Sequence, residues 1–336
     1  MSLVCNFGCV GSAILSTDKA QGEITFGKRF GFLDMGLDTA GVFKAIDDRG
    51  TYSTFVGIFP RFHAWLFPLL PKTGGHGYVG NYTMSRIASR EKEIKDPLSP
   101  DRAGPPDFVS RFLQIHSEIP EKMTKIDLFT ICQSNIGAGS DTTAITLSAC
   151  IYHLLKNPTT MSKLRNEIAT ATAEGKLSTP CTFKETQELH YLQAVIKETL
   201  RLHSAVGLPM FRVVPSPHLT IGPYTLPRGS EVGINAWVAH RNREVYGVDA
   251  DIRRPERWLE FEDQGRLGEI EKYFFAFGAG SRTCIGRNIS LLEIGKLIPE
   301  LIRTFEFRYC GQGPWETCNH WFVKMVDFDV EIDARN

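Results

Sequence analysis

The sequence FGAGSRTCIG, residues 277–286, combines closely spaced glycines with a single cysteine. Its glycines at positions 278, 280 and 286 let the backbone turn sharply and approach a neighbouring group closely. Cys284 stands just before a predicted helix, where free N–H groups and the positive end of the helix dipole favour a thiolate. With Phe277 as an apolar wall, the pattern indicates a binding site for a metal that prefers soft ligands. The alternative interpretation is a buried structural cysteine at the start of a helix.

Arg282 and the spacing of the other cysteines limit the kinds of site that this stretch could form. Arg282, two residues before the cysteine, has a planar guanidinium that suits a carboxylate. The chain has eight cysteines and no Cys-x-x-Cys pair. Neither a zinc ribbon nor a disulfide framework is therefore indicated, and free thiols fit a reducing compartment.

Outward from this stretch, the periodicity predicts a helix over 287–304, a long helix over 124–156 and a helix that carries apolar residues on one face over 192–200. Thr182 and Glu185 form a capping-box pattern. Short strands joined by tight turns are predicted between 219 and 236. Helices dominate and the strands are segregated from them, so the fold class is α+β, mostly α.

Length and charge exclude several classes of protein. The 336 residues carry 38 Lys and Arg against 38 Asp and Glu. A zero net charge argues against a dedicated nucleic-acid binder, which carries a basic surplus. The sequence contains no run of about 20 apolar residues, so no membrane span is predicted. The first 15 residues lack the basic residues with which a signal peptide begins.

The centre of the long helix combines small and polar residues. Asp141 and Thr142 place a carboxylate beside a hydroxyl, a pair suited to a short proton relay, and Gly137 and Gly139 leave room for a ligand. The alternative is a solvent-facing notch with both polar side chains exposed.

A second polar motif is Glu198 with Arg201, which three residues of spacing place on the same side of a helix. Arg257, in the stretch PERW at 255–258, could complete a two-arginine cradle around the glutamate. The alternative is a surface ion pair, which contributes little to stability.

Two further segments remain outside the regular pattern. Residues 55–70 (FVGIFPRFHAWLFPLL) are aromatic but interrupted by Pro60 and Pro68, so a single buried helix is not predicted. They form either an irregular, core-facing connector or a loop that contacts a membrane surface or roofs a pocket. Residues 92–107 are charged and proline-rich and are predicted to be an exposed connector.

Together the motifs resemble those of the cytochrome P-450 family of heme-thiolate monooxygenases. The cysteine stretch is similar to the family's heme-binding signature, Phe-x-x-Gly-x-Arg-x-Cys-x-Gly, in which x is any residue. The stretch AGSDTT at 138–143 is similar to its oxygen-activation motif, and Glu198, Arg201 and Arg257 to its Glu-x-x-Arg triad. The overall sequence most resembles filamentous-fungal members that act in secondary metabolism, including the pisatin demethylase group.

The resemblance implies a heme cofactor, iron protoporphyrin IX, with Cys284 as the axial ligand of the iron. The implied cofactor-binding residues are Phe277, Gly280, Arg282, Cys284, Gly286 and Arg212, the two arginines meeting the heme propionates. Asp141 and Thr142 are the implied catalytic residues and would deliver protons during oxygen activation. Glu198, Arg201 and Arg257 would be structural.

Substrate choice is expected to depend on a set of residues that are small or apolar, apart from one asparagine. The apolar character of this set favours a hydrophobic small molecule as substrate. The predicted substrate-pocket residues are Asn135, Ala138, Ala205, Val206, Leu208 and Phe322. The implied partners are O2 and an NADPH-dependent flavoprotein reductase that docks on the Cys284 side. By family position, residues 55–70 fall in the membrane-facing loop region, so peripheral membrane contact is expected there. Family members are usually anchored in the endoplasmic-reticulum membrane, but no such anchor is expected in this sequence, and its location is left open.

The resemblance covers residues 22–336, which are predicted to be a partial catalytic domain, and residues 1–21 are an atypical N-terminal segment. The fold is accordingly expected to lack the family's N-terminal helices and first sheet strands. Two functions stay open. One is a heme-thiolate monooxygenase that inserts one oxygen atom from O2 into a hydrophobic small molecule. The other is a truncated non-catalytic remnant or heme-free binding protein.

Overall fold

The computed structural model of the chain describes residues 3–6, 21–30, 42–69, 75–96, 107–311, 313, 315–326 and 328–335. The chain divides into two compact units. The N-unit comprises Leu3–Ser148 and Cys310–Glu331, and the C-unit comprises Ala149–Tyr309 and Ile332–Asn336.

The helices follow a short helical segment at 21–26. In chain order they are α1 (Val42–Ile58), α2 (His63–Leu66), α3 (Gly75–Lys95), α4 (Phe108–Glu118), α5 (Lys125–Lys156), α6 (Pro158–Ala173), α7 (Phe183–Gln187), α8 (His190–Leu202), α9 (Ala236–Ala239), α10 (Arg243–Tyr246), α11 (Glu256–Asp263), α12 (Leu267–Ile270) and α13 (Arg287–Thr304). None of the helices within the described ranges is both long and apolar enough to cross a membrane.

The strands are short and few by comparison. They are β1 (Leu3–Asn6), β2 (Met210–Val213), β3 (His218–Ile221), β4 (Tyr224–Pro227), β5 (Glu231–Ile234), β6 (Phe305–Tyr309), β7 (Glu316–His320), β8 (Phe322–Val326) and β9 (Asp329–Ala334). In the C-unit β2 pairs antiparallel with β5 and β3 with β4. In the N-unit β7 and β8 form an antiparallel hairpin. The predicted α+β class, mostly α, is confirmed.

Local signals explain the helix boundaries. Pro158 is the first residue of α6, which is why α5 ends at Lys156, since a proline interior to a helix removes a hydrogen bond. At the start of α7 the Thr182 side chain accepts from the Glu185 amide, and the Glu185 carboxylate accepts from the Thr182 amide. The predicted capping box is therefore confirmed.

Each unit has its own apolar core. In the N-unit, residues from the 21–26 segment and helices α1, α3, α4 and α5 pack together: Phe26, Ala45, Ile46, Val79, Val109, Leu128, Cys132 and Ile136. In the C-unit the cluster joins α8 to α10, α11 and α12: Ala194, Tyr246, Ala250, Trp258, Phe261 and Ile270.

The predicted core-facing connector at 55–70 is wrong for the residues described there. Helix α1 continues to Ile58, and Pro60 is the first residue of a 3-10 turn. This position suits proline, because the backbone nitrogen there has no hydrogen bond to donate within the turn. The segment is thus helical in short pieces, and Trp65 and Leu69 are 80% and 78% exposed. Residue 70 lies outside the described residues.

The predicted exposed connector at 92–107 also needs correction at both ends. Helix α3 extends to Lys95, and Asp107 is buried as the N-cap of α4. Its carboxylate accepts from the Ser110 amide at 2.8 Å and pairs with Arg90 at 2.7 Å. Asp107 thus caps α4 and joins it to α3 through Arg90. Residues 97–106 lie outside the described residues.

Candidate active site

The loop before α13 folds back on itself and exposes a thiol. The Cys284 amide donates to the Phe277 carbonyl at 2.8 Å, and the Thr283 hydroxyl donates to the same oxygen at 3.2 Å. Gly278 and Gly280 have φ angles of 69° and 66°, a left-handed conformation that favours glycine. Cys284 is exposed and forms no disulfide. The alternative interpretation of a buried structural cysteine is therefore wrong.

The residue two positions after the thiol lies beside the sulfur. Gly286 is the N-cap of α13, and a Cβ atom built there would lie 3.8 Å from the Cys284 sulfur. Helix α13 thus begins directly behind the thiol, with the positive end of its dipole near the sulfur.

Two predicted propionate partners, Arg282 and Arg212, are exposed in the C-unit. A Cβ atom on Gly278 would lie 3.4 Å from the Met210 sulfur, so the start of β2 adjoins the cysteine loop. Arg212 on β2 donates to the Phe211 carbonyl at 2.7 Å. Among the ion pairs of the described residues, none involves Arg212 or Arg282, so neither cation is neutralised by a carboxylate there.

The structure brings Glu198, Arg201 and Arg257 together in the C-unit. Arg201 forms two parallel hydrogen bonds with the Glu198 carboxylate, at 2.9 and 2.8 Å, and Arg257 donates to it at 3.1 Å. All three side chains are 0% exposed, so the alternative of a surface pair is wrong. Burial alone would raise the pKa of Glu198, but the two guanidinium groups outweigh burial and lower it.

The same two arginines also hold a stretch of backbone between β5 and α11. Arg201 donates to the carbonyls of His240 and Ala250 at 2.7 and 2.6 Å, and Arg257 donates to that of Tyr246 at 2.6 Å. Buried carbonyls need such partners. The two arginines thus join α8 and α11 to the backbone between them, and the structural role of the three residues stays a prediction.

In the N-unit, the polar pair at the centre of α5 has two separate partners. The Asp141 carboxylate is buried and pairs with Lys324 of β8 at 2.8 Å. The Thr142 hydroxyl donates to the Ala138 carbonyl at 2.8 Å. The alternative of a solvent-facing notch is wrong for Asp141. Sequence reasoning missed Lys324, although a lysine inside the apolar strand FVKMV was a signal that it has a buried partner.

A cavity of about 1010 Å³ adjoins this pair in the N-unit. Its walls come from α1, α3, α5 and the β7–β8 hairpin. The contribution of α5 comes from two successive turns and the residue that follows them on the same face: Gln133, Ser134, Gly137, Ala138 and Asp141.

The cavity contains some of the predicted substrate-pocket residues and omits others. Ala138 and Phe322 line the cavity, whereas Asn135 does not. Ala205, Val206 and Leu208 belong to the C-unit. The prediction that Gly139 leaves room for a ligand is also wrong, since a Cβ atom there would lie 2.3 Å from the side chain of Gln21.

A search for clusters of metal-ligating side chains covers the described residues. No group of three or more His, Cys, Asp or Glu residues in that part of the chain could hold a metal ion. Cys284 thus belongs to no such group and is a candidate metal ligand as a single thiol.

Comparison with known proteins identifies the group to which this arrangement belongs. The family model described as Cytochrome P450 matches residues 17–327. Cytochrome P450 monooxygenase cicH of Emericella nidulans is 40% identical over 99% of this chain and 66% of its own length. A pisatin demethylase of Fusarium vanettenii is 39% identical over 90% of this chain and 58% of its own length.

A shorter relative is cytochrome P450 monooxygenase ACRTS1 of Alternaria alternata, 34% identical over 94% of this chain and 84% of its own length. The chain thus spans somewhat under two thirds of the first two relatives. The family is heme-thiolate, so heme is its cofactor. The chain belongs to the cytochrome P450 family.

Proposed function

We propose that the protein is a heme-thiolate monooxygenase that inserts one oxygen atom from O2 into a hydrophobic small molecule of secondary metabolism. The observation that carries the proposal is the exposed Cys284 thiol in its glycine-rich loop at the start of α13. The names of the relatives, all monooxygenases or a demethylase of fungi, support the same class of reaction.

The residues around Cys284 fit a heme. A ligating sulfur must be accessible and must remain a thiolate, and Cys284 is exposed at the positive end of a helix. Ile285, the next residue, is 97% exposed, an apolar side chain suited to contact with an apolar macrocycle. Arg212 and Arg282 offer planar cations for two carboxylates.

Under this proposal each of these residues has one task. Cys284 binds the iron, Phe277, Gly280 and Gly286 shape the loop around the sulfur, and the two arginines neutralise the propionates. A thiolate-ligated heme, when bound, supplies oxygen activation, because electron donation from sulfur favours O–O cleavage. Glu198, Arg201 and Arg257 keep the backbone of the C-unit in place and take no part in the chemistry.

The N-unit would bind the substrate and manage protons. Its cavity is at the upper end of the size range of small-molecule pockets, about 300–1,000 Å³. Apolar side chains such as Val56, Val79 and Met325 line it, which favours a hydrophobic body. Thr142 and Asp141 would hold and transfer the protons that oxygen reduction consumes.

The remaining partners are proposed from charge and exposure. Arg282 and Arg287 give the Cys284 loop exposed positive charge, which suits an acidic surface on an NADPH-dependent flavoprotein reductase. The exposed aromatic residues at 55–69 suit contact with a membrane surface, in keeping with the endoplasmic-reticulum location common in the family. We retain residues 22–336 as the catalytic portion and 1–21 as a separate segment.

The test is the spectrum of the dithionite-reduced protein with carbon monoxide. We expect the red-shifted Soret band of a thiolate-ligated heme in the wild-type chain and its loss in Cys284→Ala. Cys310→Ala is the matched control, because Cys310 is also exposed, and should retain the band. A folded wild-type protein that takes up no heme would favour the remnant or heme-free binding protein.

A further inference from the structure

Two cationic side chains of the N-unit cavity differ in whether a carboxylate neutralises them. Among the described residues that line the cavity, Arg49 of α1 and Lys324 of β8 carry a full positive charge. Lys324 contacts Asp47 and pairs with Asp141 at 2.8 Å. The half-buried side chain of Arg49 forms no ion pair and no hydrogen bond with any described residue. Its guanidinium is therefore available to a ligand.

The position of Arg49 on α1 explains why it lies at the cavity wall. Ile46 is three residues before it and Ser53 four residues after it, so the three share one face of the helix. All three line the cavity, and Ile46 also belongs to the apolar core of the N-unit. A Cβ atom built on Gly50 would lie 3.1 Å from the His320 carbonyl oxygen. Strand β7 therefore approaches α1 beside the arginine.

The carboxylates next to Arg49 in the sequence already have other partners. Asp48 pairs with Lys44, one turn earlier on α1, at 3.2 Å, and Asp47 contacts Lys324. A guanidinium fits a carboxylate through two parallel hydrogen bonds. At a half-buried position this attraction is less weakened by water than at an open surface. A carboxylate that enters the cavity thus finds a cation without a competing partner.

The rest of the cavity wall offers apolar contact to the body of such a ligand. Its apolar side chains come from α1, α3 and β8: Ile46, Val56, Val79, Phe322, Met325 and Val326. One cation on an otherwise largely apolar wall favours a ligand that is hydrophobic except for one acidic group.

We propose that the substrate is a hydrophobic carboxylic acid, bound by the Arg49 guanidinium at one end and by the apolar wall along its body. The inference rests on the proposed function, because it takes this cavity as the substrate site. A fixed carboxylate orients the remainder of the molecule and so limits which of its carbons is presented for oxidation. Arg49 is a substrate-binding residue and takes no part in oxygen activation.

Two probes of nearly the same shape but different charge test the inference. They are biphenyl-4-carboxylic acid and biphenyl-4-carboxamide, titrated calorimetrically into the purified chain at pH 7. We expect the wild type to bind the acid roughly tenfold or more tightly than the amide, a gain typical of a charge-assisted hydrogen bond. Arg49→Gln should remove that gain and leave the affinity for the amide unchanged. Arg49→Lys should keep part of it, because lysine retains the charge without the planar fork.

Arg61→Gln is the matched control. Arg61 lies in the same unit, is exposed and does not line the cavity, so its removal changes the net charge equally and should leave both affinities unchanged. An acid preference that survives in Arg49→Gln, or falls equally in Arg61→Gln, would overturn the assignment to Arg49. Equal affinities of the wild type for acid and amide, or binding of neither, would overturn the inference as a whole.

The carbon monoxide band separates this failure from failure of the proposed function, since calorimetry requires no heme. A wild-type chain that shows the band but no acid preference retains the proposed function and loses this inference. A chain that prefers the acid but takes up no heme overturns the proposed function, and with it the acid as a substrate, while Arg49 remains the binding residue of the acid.

Discussion

At the scale of single residues, the described cysteines differ in the exposure that decides thiol reactivity. Cys284 is exposed, whereas Cys132, Cys150 and Cys181 are buried. Burial raises the pKa of Cys132 to about 12 and that of Cys150 and Cys181 to about 11. A buried thiol with a raised pKa is inert toward alkylation in the native state.

We predict that iodoacetamide modifies Cys284 in the native, heme-free chain at least roughly 100-fold faster than the three buried thiols. The reason is that each pKa unit above the working pH lowers the thiolate fraction tenfold. Peptide mass spectrometry after timed alkylation at pH 8 measures the four rates. Hemin added before the reagent should protect Cys284.

The control for this protection is Cys310, which is exposed and should be modified equally with and without hemin. Equal protection of both thiols would mean that hemin shields the surface unspecifically. Unchanged modification of Cys284 in the presence of hemin would contradict its assignment as the ligand.

At the scale of elements, helix α13 carries two buried or partly buried carboxylates with opposite environments. Both oxygens of Glu293 are buried without a hydrogen-bond partner among the described residues, and burial raises its pKa to about 7. Burial would also raise the pKa of Glu300, but the amide of Cys181 and the guanidinium of Arg303 outweigh it and lower the pKa.

We predict that Glu293→Gln removes a pH dependence of stability. Because the folded protein binds this proton more tightly than the unfolded chain, the contribution of Glu293 to stability is fully present below pH 4.5. It is lost as the pH rises through about 7. The wild type should lose roughly 2–3 kcal/mol relative to the variant between pH 4.5 and 8. Urea unfolding across that range measures the difference.

Glu300→Gln is the matched control on the same helix. Its pKa is lowered in the folded state, so its contribution is present above its unfolded pKa and is lost as the pH falls. The difference between wild type and this variant should therefore run in the opposite direction. A flat difference curve for Glu293→Gln would show that water or another group satisfies the Glu293 carboxylate.

The same elements show what sequence reasoning can and cannot predict. The start of α7, the end of α5 and the extent of α13 were predictable, because caps, prolines and helical periodicity act within a few residues. The partner of Lys324 could not be predicted, because the lysine pairs with Asp141 only through the fold, which brings β8 beside α5. Likewise Gly139 contacts Gln21, a residue far away in the chain, and no local pattern indicates that contact.

At the scale of the whole molecule, net charge and exposed apolar surface decide how the protein would meet a membrane. The chain carries no net charge, so attraction to anionic lipids is weak. The N-unit nevertheless exposes an aromatic surface at the end of α1 and in the turns that follow. Its members are Phe55, Phe59, Phe62, Trp65, Phe67 and Leu69, each at least 46% exposed.

We predict that this surface binds uncharged phosphatidylcholine vesicles and that raising the salt concentration does not release the protein, because the attraction is hydrophobic. Trp65→Glu should weaken partitioning by roughly tenfold or more, since it replaces a large apolar contact by a charge. Vesicle flotation at low and high salt measures the bound fraction. Val248→Glu is the control, since Val248 is 89% exposed in the C-unit and should leave binding unchanged. Equal binding by all three proteins, or release by salt, would contradict a membrane role for the aromatic surface.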